Sequence, residues 1–306
     1  MAQKVIIDTD IGDDIDDAYA LAFALLRPDL EVCGITTVTG RADLKAELVA
    51  KILATLGRSD VPFAAGWTFP FHIPGEPWRR FLPEGASNQY PAVREGEELP
   101  VPTHRNALDL LTEVSERHAG EVGLITIGPL TNVAAAFQFD PMLPTRLVWV
   151  ASMGGEVAHY RLEYNIRADP VAADLVFRSG ARLLLATASV TERVTLAAGL
   201  VKRLGEVDRP ICRLLHRMTE LWWPHRGEKA GPVLYDVVPV AWAFDPALVR
   251  TERLCVQVQT APGPAFGWTV VVPDGESNMD VTTDIQEERL RNLVLETLMG
   301  GGAQGS

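Results

Sequence analysis

A basic surplus is the first thing this chain lacks. Lys and Arg number 28 against 40 Asp and Glu, a formal net charge of −12 over 306 residues. Such a field repels polyanions, which argues against nucleic acid or an anionic membrane surface as the partner. Cysteine is also scarce. Cys33, Cys212 and Cys255 are odd in number, far apart and without metal-ligand spacing, which fits reduced thiols of a cytoplasmic protein rather than a disulfide framework. No apolar run is long enough to span a bilayer. The first strand-like run begins at Val5, which leaves no room for a secretory leader. Neither Gly-x-Gly-x-x-Gly after an early strand nor Gly-x-x-x-x-Gly-Lys-Ser/Thr occurs, so both nucleotide-binding fingerprints are missing.

What is present is an alternation of elements. Strand-like runs at Val5–Ile7, Val32–Val38, Val61–Ala65, Gly123–Ile127, Leu147–Ala151 and Arg182–Ala186 are separated by helical patterns at 17–26, 42–56, 106–118, 131–139 and 170–179. Further helical patterns lie at 211–222, 237–244 and 285–298, and strands near 254–259 and 269–272. Alternation of this kind predicts an α/β fold: one domain, residues 1–299, with a mostly parallel, Rossmann-like sheet flanked by helices. Residues 300–306 read as a disordered tail. The Pro- and Gly-rich stretch 66–102 holds Trp67, His72, Trp78, Arg79 and Arg80. A segment this long is either a binding loop or lid, or an ordered surface excursion.

The densest chemistry is at the start. Val5–Ile7 runs directly into six acids, Asp8, Asp10, Asp13, Asp14, Asp16 and Asp17, with no Lys or Arg between Lys4 and Arg27. An apolar run of this kind reads as a buried strand, and ionised carboxylates at its end need a partner. A hard divalent cation bound through oxygen is the simplest local one. Singly, Asp13, Asp14 and Asp16 read equally well as loop residues or helix caps. The strands expected at 32–38, 123–127 and 147–151 end in Thr36-Thr-Val-Thr-Gly-Arg41, Gly128-Pro-Leu-Thr-Asn132 and Ser152-Met-Gly-Gly155. Thr131 is placed to cap the helix after it. Strand carboxyl ends line the ligand crevice of open α/β sheets, so these segments are expected on one rim. An EF-hand does not fit, because counting from Asp8 puts Gly12 fifth and Tyr19 twelfth. The Asp8-Thr-Asp10 start also allows a phosphatase of the haloacid-dehalogenase type, although Gly12 stands where that motif has Thr or Val.

With these motifs in place, the chain resembles the inosine–uridine-preferring nucleoside hydrolases. Their opening, Asp-Thr-Asp-Pro-Gly-x-Asp-Asp-Ala, appears as Asp8-Thr-Asp10-Ile-Gly12, two additional residues, then Asp16-Asp17-Ala18. The likeness continues through Ile35–Gly40, Gly128–Asn132, Met153-Gly-Gly155, Glu163-Tyr-Asn165, Asp169-Pro170 and Tyr235-Asp236. The resemblance implies a Ca2+ ion held by Asp10, Asp17, the Ile127 carbonyl and Asp236. It implies ribose hydroxyls on Asp16, Glu163 and Asn165, and Met153 either against the sugar or in the core. The implied reaction is hydrolysis of an N-ribosidic bond, releasing base and ribose, by an enzyme that forms dimers or tetramers. A non-catalytic ribose- or calcium-binding homologue is the alternative.

The departures fall on the base side. The two-residue insertion leaves Asp14 as a second candidate for the ribose contact of Asp16. Arg41 replaces a usual Asn and is either a solvated helix-start residue or a cation reaching the pocket, where its fork would suit an anionic group. Tyr235 replaces a usual His; it is a hydrogen-bond donor, a stacking surface or a packing residue. His225 is the alternative acid, or a surface residue. Trp222 and Trp223 either stack on the leaving base or pack. An oxocarbenium-like transition state suits a carboxylate-lined pocket, and Asp10 is the candidate base. Replacing Asp10 by Asn or Ala is expected to cost several orders of magnitude in turnover with an unchanged circular dichroism spectrum; near-full activity would rule the assignment out.

Overall fold

The computed structural model describes residues 1–71, 87–226 and 231–300. Strand β1 (Gln3–Thr9) is buried from Val5 onward. It lies between β2 (Leu30–Thr37) and β4 (Val122–Thr126), parallel to both. Covered on both faces, it is apolar without alternation, as inner strands of parallel sheets are. Its side chains still divide by face: Val5 and Ile7 enter one hydrophobic cluster and Ile6 the other, as the two-residue period requires.

With β3 (Phe63–Ala65), β5 (Val150–Met153), β6 (Leu183–Ala186), β7 (Val249–Leu254) and β10 (Met279–Ile285), the sheet has the order β3-β2-β1-β4-β5-β6-β10-β7. Only the β10–β7 pairing is antiparallel. A separate antiparallel ribbon joins β8 (Val256–Val258) to β9 (Thr269–Val271). The chain builds outward from β1 through β2 to β3, then returns to β4 on the other side of β1. That reversal opens a crevice at the carboxyl ends of β1 and β4, where open α/β sheets hold their ligands.

Helix α1 (Asp16–Leu26) is buried over its first ten residues. Its Ala-rich sequence, with Tyr19 and Phe23 fully buried, has no polar face, as expected of a helix enclosed on all sides. Helix α2 (Ala42–Leu56) ends on Gly57 in the left-handed conformation, where glycine carries no steric penalty. Gly300, assigned to the tail from sequence, caps the last helix, Glu287–Met299, in the same way.

The strands β7 and β10 and the helix Ala198–Glu206 escaped the sequence reading, as did short helices such as Leu143–Arg146, Tyr164–Ala168 and Ala188–Thr191. Strand β7 is an edge strand with four consecutive exposed residues, Arg250–Arg253, so it has no apolar run to reveal it. Thr131 is corrected as well. It is the first residue of helix α4 (Thr131–Phe139), whose cap position is Leu130, and its hydroxyl donates to the Asp169 carboxylate at 2.7 Å. His72, Trp78, Arg79 and Arg80 lie outside the described residues.

The next residue of α4 joins three strands. Asn132 Nδ2 donates to Asp8 Oδ1 at 2.7 Å and to the Thr37 carbonyl at 3.0 Å, while its Oδ1 accepts from Trp67 N at 2.8 Å. Asn132→Ala removes two buried hydrogen bonds, one of them to a carboxylate, and a third that is partly buried. It is expected to lower stability by about 2–4 kcal/mol in urea unfolding; a loss below about 0.5 kcal/mol would show the junction to be dispensable.

Candidate active site

The crevice holds a cavity of about 380 Å³ lined by Asp10, Asp13, Asp14, Asp16 and Asp17, together with Ile127, Met153, Glu163, Asn165, Tyr235 and Asp236. Each part is delivered by the end of an element. At the end of β1, Asp8 is fully buried and accepts from Thr36 Oγ1 at 2.5 Å and from Asn132, which fixes it as a brace between strands. Burial pushes its pKa up to about 7 against those two hydrogen bonds. Thr9 donates to Asp17 Oδ1 at 2.5 Å. Gly128, after β4, lies so close that an added Cβ would stand 2.9 Å from both Asp10 N and Asp10 Oδ1. A side chain there would displace Asp10.

Asp16 and Asp17 open α1, and Asp236 sits at the start of α11 (Val237–Trp242). All three are buried, and one carboxylate oxygen from each lies within 4.8 Å of the others. Helix N-termini favour negative charge, though by only about 0.3–1 kcal/mol, up to about 2 when partly buried. Burial raises all three pKa values well above the usual carboxylate range, and repulsion adds to it, from Asp14 and Asp10 at Asp16 and from Asp10 and Asp16 at Asp17 and Asp236. Asp10 is raised to about 6, chiefly by burial, with the Lys45 ammonium pulling the other way. Three converging carboxylates without three cations form a hard-oxygen donor set that fits a divalent ion.

On the opposite wall, Glu163 caps α6 (Tyr164–Ala168). Its Oε1 accepts from Asn165 N at 2.8 Å, and its Oε2 from Ile166 N at 3.0 Å and Gly155 N at 2.9 Å. Asn165 Nδ2 donates to the carbonyls of Ile127 (3.3 Å) and Met153 (3.1 Å). Tyr235 is half-buried; burial and the charges of Asp16 and Asp14 push its hydroxyl up to about 12, so near neutral pH it keeps its proton and serves as a donor.

Four sequence candidates do not line the cavity. Arg41 is half-exposed and paired with Asp43, Nη2 to Oδ2 at 2.6 Å. Trp222 and Trp223 belong to the core. They continue the buried stripe of helix α10 (Pro210–Arg226) through Leu215, Met218 and Thr219, and Trp223 meets the His216 ring edge-on at 6.4 Å. His225 is exposed at the end of the same helix. The α10 residue that lines the cavity is Arg226, whose Nη2 lies 2.8 Å from Asp14 Oδ2.

Several residues had not been anticipated. Arg161 lines the mouth and bonds Glu156, whose carboxylate is fully buried, and Glu192. Asn88 also lines it. Lys45 is 1% exposed, and its Nζ donates to the Asp10 carbonyl at 2.5 Å and to Asp13 Oδ2 at 3.1 Å. The acid cluster therefore has a protein cation after all, brought from α2. Its signal was a lysine on the apolar stripe of α2, with Ala42, Leu48, Val49 and Ile52.

A parallel sheet with its switch point at β1 and a carboxylate-floored cavity there make an open α/β fold with a ligand site at its crevice. Comparison with known proteins agrees. The profile of the family described as inosine-uridine preferring nucleoside hydrolase matches residues 5–292. The pyrimidine-specific ribonucleoside hydrolase RihA of Salmonella paratyphi B is 30% identical, over 97% of this chain and 99% of its own length. A plant nucleoside hydrolase, PpNRh1, superposes with a TM-score of 0.84 at 27% identity, covering 98% of this chain and 99% of its own. The purine-preferring ribonucleoside hydrolase of Gardnerella vaginalis shares the fold, with a TM-score of 0.81 at 24% identity over 97% and 98% of the two chains. The chain belongs to the inosine-uridine preferring nucleoside hydrolase family and is a hydrolase of N-glycosyl bonds. The phosphatase and non-catalytic alternatives give way to that assignment.

The carboxylate shifts set a pH dependence. Metal-free protein holds protons on Asp8 and Asp10 up to about pH 7 and 6, whereas the unfolded chain releases them near ~4. Between those limits the native state binds more protons, so its stability falls as pH rises. Thermal unfolding in chelator is expected to give a higher Tm at pH 5 than at pH 7, and a saturating divalent ion is expected to remove most of the difference. A chelated Tm that rises over this interval would contradict the burial of uncompensated carboxylates.

Proposed function

We propose that this protein is a Ca2+-dependent ribonucleoside hydrolase of the cytoplasm, working as a homo-oligomer and taking pyrimidine ribonucleosides first. The observation that carries the reading is the convergence of Asp16, Asp17 and Asp236 within 4.8 Å on the cavity floor, beside Asp10. The base preference leans on the pyrimidine-specific relative at 30% identity. The three free cysteines suit a reducing compartment, and among the described residues no helix is long and apolar enough to cross a membrane.

Of the converging group, Asp17 and Asp236 would hold the ion together with Asp10 and the Ile127 carbonyl, which lie outside that group, and Asp16, its third member, would hold a ribose hydroxyl from the first turn of α1. Bound there, calcium would orient the ribose diol and make a water more acidic. Asp10 would accept a proton from the attacking water as the water oxygen bonds to C1′ of the ribose. The C1′–N bond breaks, and the base departs with the bonding electron pair and takes up a proton from solvent, to which Asp10 returns the one it accepted. Glu163 and Asn165 hold the remaining sugar hydroxyls; three backbone N–H groups fix Glu163, two of them on Oε2 and one on Oε1, which leaves Oε1 with a lone pair to offer. Buried carboxylates stabilise the positive charge that develops on the ribose. The Tyr235 hydroxyl donates a hydrogen bond to the departing base.

A reducing-sugar assay on uridine, cytidine, inosine and adenosine, with and without chelator, tests the reading. Ribose release that is greatest from the pyrimidine nucleosides, lost in chelator and restored by Ca2+ is expected. Asp236→Ala is expected to reduce kcat by at least about a thousandfold at saturating substrate. Undiminished release in chelator would sink the metal dependence, and release from inosine alone would sink the base preference.

A further inference from the structure

Resting on the proposed metal reading, we infer that Lys45 is a built-in counter-cation of the active site. It is a positioning residue that holds the Asp10 loop in place without the metal and weakens the site's hold on it. The geometry behind this is specific. Lys45 is 1% exposed, so its ammonium is compensated by protein groups alone. One is the backbone carbonyl of Asp10 at 2.5 Å and another is the Asp13 carboxylate at 3.1 Å. Asp13 belongs to the segment between Gly12 and Asp16, which by resemblance to the family's opening motif carries an insertion of two residues. Asp14, the other residue of the 13–14 pair, is tied outward to Arg226, and its carbonyl accepts from Gln89 Nε2 at 2.5 Å. The segment is thus bracketed on two sides, with Lys45 as its inner anchor.

A cation fixed this close to the carboxylate floor has two effects. It attracts the Asp10 segment, and its field reaches Asp17 as well as Asp10. It also repels any divalent ion that enters, because a buried charge is poorly screened. A lysine that merely filled space or braced the loop would have only the first effect. Removing it would then loosen the ligands and weaken metal binding. A counter-cation predicts the reverse sign.

Calcium binding to chelator-stripped protein, followed by titration calorimetry, separates the two. Lys45→Met keeps the length and apolar stem without the charge. It is expected to bind Ca2+ more tightly by on the order of tenfold, with a lower Tm in the metal-free state. Asp13→Asn, at a partly exposed position, leaves Lys45 less compensated and is expected to bind Ca2+ about three- to tenfold more weakly. Arg226→Gln, a charge removed from the exposed end of α10, is expected to change the affinity by less than about threefold. Unchanged or weaker binding by a folded Lys45→Met overturns the inference while leaving the metal reading intact. Should Lys45→Met fail to fold, Asp13→Asn decides: unchanged affinity overturns the inference. A wild-type chain that binds no divalent ion overturns the metal reading and this inference together.

Discussion

The structure depends on charge compensation for carboxylates buried at the end of β1 and at the start of two helices. Burying an ionised carboxylate costs several kcal/mol even after relaxation. A helix N-terminus returns about 0.3–1, up to about 2 when partly buried, and a hydrogen bond to a charged group about 1.5–3. Asp8 has two side-chain donors, Asp17 has one, and Asp16 and Asp17 share one helix terminus. Two cations touch the loop: Lys45 bonds Asp13 and the Asp10 backbone, and Arg226 pairs with Asp14, neither bonding the three floor carboxylates. The local gains therefore fall short for Asp16, Asp17 and Asp236. What remains is a proton, which the raised pKa values of these groups favour, or a divalent ion.

The topology explains why those residues meet. Reversal of the winding at β1 leaves an opening above β1 and β4, into which the segments after both strands turn. α1 starts in that opening because the insertion carries the chain from β1 to its first turn. α11 reaches it from more than two hundred residues later. Close approach is built into the backbone: Gly128 lets β4's exit lie against Asp10, and Asn132 ties the β1 and β2 ends to the chain leaving β3. The sheet's burial thus fixes the relative placement of groups whose charges oppose being placed together.

Much of this was legible in the sequence because it is written locally. A strand ending in acids and Gly-rich strand exits depend on neighbours within a few residues, so the parallel fold and the acid-lined rim could be read from local pattern, whereas Glu163 and Asn165 were singled out only through the family resemblance. What escaped was decided by tertiary partners. Lys45 faces the acids only because α2 packs its apolar stripe inward against β2, β3 and α10. Arg161 is oriented by Glu156 and Glu192, which no spacing links to the cavity. Trp222 and Trp223 were attractive as stacking residues, yet they lie on the stripe of α10 that faces the core. The pocket-facing residue of that helix stands one turn further on, at Arg226. Arg41 found a carboxylate two residues away, a partner near enough to keep it at the surface.

The two walls of the cavity also differ in how firmly they are held. Glu163 is fixed by three backbone N–H groups and Asn165 by two backbone carbonyls, so their positions follow the main chain of β5 and α6. On the other side, Tyr235 is half-buried, and Arg226 is an exposed side chain whose cavity contact is an ion pair with Asp14. Exposed pairs of this kind are worth little, about 0–1 kcal/mol, and are screened by salt. A rigid wall discriminates by geometry, whereas a wall of screened side chains adapts. Under the proposed reading the rigid wall meets the ribose and the adaptable one meets the base. Selection among sugars would then be strict and largely independent of salt, while selection among bases would rest on contacts that rearrange at small cost.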